Sequence, residues 1–112
     1  MKWNKMQTSN NIPFNTRVMS QITAVPNSGT DLTAKDCIVY AVHVCNNTVG
    51  AVTFTLQDKQ GTPLKLFSAY SIPANSFLNV SFNEGVPCTG GLTWSASAAT
   101  SLYGYIDARA KL

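Results

Sequence analysis

Charge is scarce in this chain. Asp, Glu, Lys and Arg make up 12% of its 112 residues, about half the ~25% usual for a soluble domain. The small excess of positive charge, +3, does not sit on the body of the protein. Lys2, Lys5 and Arg17 fall before residue 31 with no acid among them, while the five basic and five acidic residues from Asp31 onward cancel. A nucleic-acid module clusters Lys and Arg on a folded face, and this pattern argues against one. No apolar run approaches the length of a membrane span, and MKWNKMQTSNN has no apolar stretch behind its basic start. The expectation is therefore a chain made and kept in a cytoplasm, with no membrane partner.

Chemistry-bearing residues are equally sparse. His43 is the only histidine, so it is the one obvious general base, and no GxSxG elbow accompanies it. The acids fall singly in turns or at strand ends. Cys37, His43, Cys45 and Cys88 are the conceivable soft-metal ligands. Cys37 and Cys45, eight residues apart on one strand, stand about 26 Å apart at ~3.3 Å per residue, so they can share neither a metal nor a disulfide. Structural zinc favours close-spaced pairs such as CxxC, which are missing. Three cysteines fit reduced, buried thiols better than a disulfide framework. The sequence predicts no enzyme, no metal and no cofactor.

Helical periodicity is also missing, for no window holds a 3.6 period over ten residues. What is present is period two. Val18, Ser20, Ile22 and Ala24 suggest a first strand, closed by Pro26-Asn27-Ser28-Gly29. Lys35 to Cys45 reads as the longest strand, with Ile38, Tyr40, Val42 and Val44 on one face and Cys37, Val39, Ala41, His43 and Cys45 on the other. Both faces are apolar, which predicts a central strand covered on both sides. Val52, Phe54 and Leu56 lead into the turn Asp58-Lys59-Gln60-Gly61, and Leu64 and Leu66 return; Gly61 suits a left-handed turn position. After Ile72-Pro73-Ala74-Asn75, the strand Phe77 to Phe82 turns Leu78, Val80 and Phe82 inward, and Glu84-Gly85-Val86-Pro87 ends it. Leu92, Trp94, Ala96 and Ala98 share one parity, then Leu102, Gly104 and Ile106 share the inward parity of a last strand. Seven or eight short strands with turns every 8 to 12 residues imply an all-β fold, an antiparallel β-sandwich of jelly-roll kind. Residues 17–112 form that sandwich. Residues 1–16, rich in Asn and Gln with Trp3, Met6 and Phe14 as isolated large apolar groups, read as an extended N-terminal arm.

The order Ile38-Val39-Tyr40-Ala41-Val42-His43-Val44-Cys45-Asn46, Val52-Thr53-Phe54-Thr55-Leu56, Ser71-Ile72-Pro73-Ala74, Gly90-Gly91-Leu92 and Tyr103-Gly104-Tyr105-Ile106 resembles small virion proteins of tailed bacteriophages, over about residues 37–107. That resemblance implies a jelly-roll-like sandwich present in many copies on a virion assembled in a bacterial cytoplasm. It further implies a structural role as a capsid decoration or cement protein, with the major capsid protein or another virion protein as partner and no catalytic motif to carry over. A tail or fibre module that binds carbohydrate or another virion protein is the alternative, with Trp94, Tyr103 and Tyr105 as a platform for sugar rings. So little charge, with Phe77 and Tyr103 on outward parities, predicts a homo-oligomer, favouring a trimer. The arm is the expected attachment device: Trp3 and Phe14 as anchors, Lys2 and Lys5 for an acidic receiving surface.

Overall fold

The computed structural model describes residues 14–111. They form nine strands and no helix: β1 (Thr16–Arg17), β2 (Thr23–Ala24), β3 (Thr30–Thr33), β4 (Cys37–Asn46), β5 (Val52–Asp58), β6 (Lys65–Ile72), β7 (Phe77–Cys88), β8 (Leu92–Ala96) and β9 (Leu102–Ala110). All ladders are antiparallel and fall into two sheets. The first has the order β1-β9-β4-β7, with β2 pairing β9 beyond β1; the second has the order β3-β8-β5-β6. Between them the core gathers Phe54, Leu56, Ile72, Leu92, Trp94 and Ile106 with a set of valines. Trp94 meets Phe54 edge to face at 6.5 Å between ring centroids, a favoured aromatic geometry.

Strict alternation builds β5, where Val52, Phe54, Leu56 and Asp58 are buried and the residues between them are not. In β9 Leu102, Gly104, Ile106, Ala108 and Ala110 point inward, as the sequence parity predicts. β4 departs from its predicted faces. Cys37 and Val39 are buried, and then Val42, Val44 and Asn46 are. The register slips between Val39 and Ala41 against both neighbours. Tyr40 is the extra residue, a β-bulge that moves every later side chain to the opposite face. Ile38 and Tyr40 are thus separated from Val42 and Val44, with which their parity groups them. β4 is central in its sheet, yet only one of its faces meets the other sheet.

β7 answers that bulge. Opposite Tyr40 it carries Phe82 to Gly85, four residues between the Ser81 and Val86 pairs. Gly85 has φ +83, and a Cβ there would stand 2.4 Å from Ile38 Cγ2, so only glycine lets the strand cross this point. The Glu84–Pro87 segment therefore continues the strand instead of ending it, and β7, not β4, is the longest.

Three further expectations change. The predicted first strand is split into β1 and β2, with Met19 and Val25 buried and Ile22 67% exposed. The Val18 N–H still donates to the Ala108 carbonyl at 3.2 Å, but the Ile106 N–H donates to Met19 Sδ at 3.3 Å, so a side chain takes a ladder position and residues 19–22 leave the sheet. The turn after β5 does not use Gly61 in a left-handed conformation; the buried Asp58 carboxylate instead accepts the Leu64 N–H at 2.9 Å and Gln60 Nε2 at 2.6 Å. Strand β3 has no alternation to announce it, and β8 and β9, adjacent in sequence, lie in different sheets.

Gly104 marks a close approach between β9 and β4: a Cβ there would sit 2.6 Å from the His43 carbonyl oxygen and 2.8 Å from Val44 Cγ2. Gly104→Ala is expected to destabilise the protein by about 1–3 kcal/mol, the usual cost of overpacking. The check is a lower urea midpoint with an unchanged denaturant slope.

Candidate partner-binding face

Because β4 switches faces at Tyr40, His43 and Cys45 point away from the core, onto the outer surface of the first sheet. The ladder registers set their neighbours. Cys45 lies between Phe77 of β7 and Tyr103 of β9, and His43 lies between Asn79 and Tyr105. Phe77 and Tyr103 therefore come together on one face, two strand spacings or about 10 Å apart, as their outward parities predict. Phe77 is 60% and Tyr103 37% exposed. The His43 ring packs against Phe77 with centroids 5.9 Å apart, and its Nε2 lies 3.3 Å from Cys45 Sγ. Tyr105 donates its hydroxyl to the Met19 carbonyl at 3.3 Å, which ties the face to the segment between β1 and β2. These two rows contain no Asp, Glu, Lys or Arg; the next brings Asp107, paired with Arg109 at 3.1 Å.

Phe14 does not join them. It is half-buried beyond the other end of β9, with Lys111 Nζ 5.1 Å above its ring. Eight residues along β9 from Tyr103 to Lys111 put it about 26 Å away. Lys111 also faces Asp36 at 3.8 Å. Trp3, Lys2 and Lys5 lie outside the described residues. Trp94 is only 2% exposed and packs in the core, so it cannot belong to a sugar platform; period two places it on a face without saying which face is covered.

Two grooves open where the sheets part. One, of about 480 Å³, runs between β2 and β3 and is lined by Met19, Thr23, Leu32 and Trp94 with Asp31 at its rim. Asp31 pairs with Lys59 at 2.6 Å; that hydrogen bond and one from Thr93 hold its carboxyl below the ordinary value. The other, of about 380 Å³, lies between β6 and β7, with Leu66, Phe67, Val80 and Phe82 as walls and Asp58 and Cys88 at one end. Among the described residues no three His, Cys, Asp or Glu side chains gather as a metal site would require.

The cysteines divide in a way sequence spacing missed. Cys37 and Cys88 are direct cross-strand partners, both buried and both free. Cys88 donates its thiol to the Val86 carbonyl at 3.7 Å, and the neighbouring Cys37 sulfur together with burial pushes the Cys88 thiol up. Under native conditions a thiol reagent is expected to label Cys45 quickly and Cys37 and Cys88 only as fast as the protein opens; mass spectrometry of labelled peptides measures this.

Burial pushes the Asp58 carboxyl up, but the Leu64 and Gln60 hydrogen bonds and a backbone N–H from Thr89 outweigh it, and its pKa lies below the ordinary value. A lowered folded pKa adds stability that is present above the unfolded pKa, about 3.9, and is lost as pH falls through the folded one. Asp58→Ala should therefore cost about 1–3 kcal/mol at pH 7 by stranding the Leu64 N–H, and flatten the loss of stability below pH ~4. Chemical denaturation at pH 7 and pH 3 gives both values.

No protein-family model, curated protein or solved structure matches the chain.

Proposed function

We propose that this protein is a structural component of a bacteriophage particle, a homo-oligomeric jelly roll that decorates or cements the capsid. The reading as a jelly roll rests on strand order: β1 and β2, β9, β4 and β7 over β3, β8, β5 and β6, two sheets exchanging strands as in a doubled Greek key. The observation that carries the role is the outer face built on Phe77, Cys45 and Tyr103, with His43 and Tyr105 beside it. An aromatic face without formal charge gains free energy when a partner covers it. A protein present in many copies needs only a modest contact per copy, because effective concentration supplies the rest. The major capsid protein or a neighbouring virion protein is the proposed partner. The arm, with Lys2, Lys5, Trp3 and Phe14, is the proposed second attachment.

The tail or fibre reading keeps Tyr103 and Tyr105 on one face as a sugar platform and has lost Trp94. Copy number separates the two readings: hundreds of copies per particle belong to a capsid, a handful to a tail. Tyr103→Asp is expected to leave the melting temperature within about 4 °C, as surface changes usually do, and to lower the chain's intensity relative to the major capsid protein on gels of purified particles. Unchanged incorporation would remove this face from the contact.

A further inference from the structure

A sheet ends in edge strands, and each exposes backbone N–H and C=O groups that another strand can pair with. Three of the four edges here are protected. β1 and β2 are two residues each. β3 has four residues, a register slip and the Asp31–Lys59 ion pair. β6 carries two slips against β5, and Ala69 within it has φ +47. The fourth, β7, is protected over only half its length. The Lys111 N–H donates to the Asp36 carbonyl, so Asp36 turns to β9, Cys37 to β7, and Ile38 to β9 again. Pro87, opposite Ile38, therefore stands at an outward position, where it offers no donor. Phe82 to Gly85 bulge out of register.

Phe77 to Ser81 has none of these devices. The Asn46 N–H donates to the Ser76 carbonyl at 2.8 Å, and bonded and non-bonded pairs alternate along an antiparallel ladder. Val44–Leu78 and Val42–Val80 are then the bonded pairs, and Phe77, Asn79 and Ser81 turn their N–H and C=O groups away from β4. Among the described residues β7 pairs with β4 alone.

We propose that this five-residue edge is where two copies of the chain associate, β7 against β7, about a two-fold axis at Asn79. In that register Asn79 faces Asn79 of the second copy, Phe77 faces Ser81, and Leu78 faces Val80. Every outward N–H of the three residues meets an outward C=O of the partner. A two-fold brings each group near its own mate, so a charge close to the axis would repel itself. The chain holds no Asp, Glu, Lys or Arg from Leu66 to Asn83, which takes in nearly all of β6 and this half of β7. Strand pairing alone covers less than the ~800 Å² per partner of a stable interface. The groove between β6 and β7, with Leu66, Phe67, Val80 and Phe82 as walls, and Tyr70, 49% exposed with its ring 5.9 Å from that of Phe67, supply further area to bury. Joined this way, the first sheets of two copies become continuous and their Phe77–Cys45–Tyr103 faces lie side by side. The inference rests only on self-association, not on the identity of the particle.

The test compares the full chain with three variants by light scattering and sedimentation. Asn79→Pro removes an N–H that no described strand of the same copy uses, and Asn79→Lys sets two charges against each other at the axis. Both are expected to melt like the parent and run as monomers where the parent is dimeric. Asn79→Cys in a Cys45→Ser background is expected to form a disulfide-linked dimer on mild oxidation, with full yield and unchanged melting; this readout stands even where proline disturbs folding. A monomeric parent, a trimer, or a dimer untouched by Asn79→Lys and not cross-linked through Asn79→Cys overturns the proposal. So does dissociation by Ser20→Lys, on the opposite rim, while Asn79→Lys still associates. Loss of particle binding in Tyr103→Asp with the dimer intact would separate the two surfaces.

Discussion

One extra residue organises the first sheet. Tyr40 sits in β4 with no single counterpart in β9, and β7 meets it with the Phe82–Gly85 bulge. Before it, odd-numbered side chains enter the core; after it, even-numbered ones do. Without that slip His43 and Cys45 would point into the apolar interior, where an imidazole needs a buried partner. With it, Val42 and Val44 fill the core and His43 joins Phe77 and the tyrosines outside. The bulge in turn depends on a glycine, because the space at Gly85 is taken by Ile38 and Tyr40.

The two ends of the sandwich are held by single buried polar side chains. Asn46, 1% exposed, donates to the carbonyls of Gly50 and Ile72, both at 2.9 Å, and accepts from the Thr48 N–H and hydroxyl. It thereby binds the β4–β5 connection to the end of β6. Asp58 closes the β5–β6 loop in the same manner. Both cases follow from the cost of leaving buried backbone groups unpaired: a loop that leaves the ladder must find partners, and a short polar side chain supplies them with little ordering entropy. Met19 does similar work on β9 with a sulfur in place of an oxygen.

Function and fold meet in how exposed groups are distributed. The core takes the aliphatic residues and Trp94, and the first sheet's outer face keeps aromatic and small polar groups around Phe77, Cys45 and Tyr103. The exposed aromatic residues fall on two surfaces: Phe77 and Tyr103 on the outer face of β9, β4 and β7, and Tyr70 and Phe77 on the edge strands β6 and β7. Both include Phe77, so an assembly that extends the sheet through β7 also widens the aromatic face.

Alternation in β5 and β9, the turn residues after β2 and β6, and the want of any helical period were enough to specify an all-β sandwich and to place Phe77 and Tyr103 outward. They follow from local physics, since side chains on a pleated strand alternate whatever the strand pairs with. Pairing itself is not local. Bulges depend on two strands at once, which is why parity groups Ile38 and Tyr40 with Val42 and Val44 and why the alternating pattern of β7 stops at Phe82. Period two assigns Trp94 a side but does not say which side another sheet will cover. Cys37 and Cys88, far apart in sequence, became neighbours only when β4 and β7 came into register. The sequence by itself determined which residues could share a face; the packing of one sheet on the other decided which faces were buried and which were left for a partner.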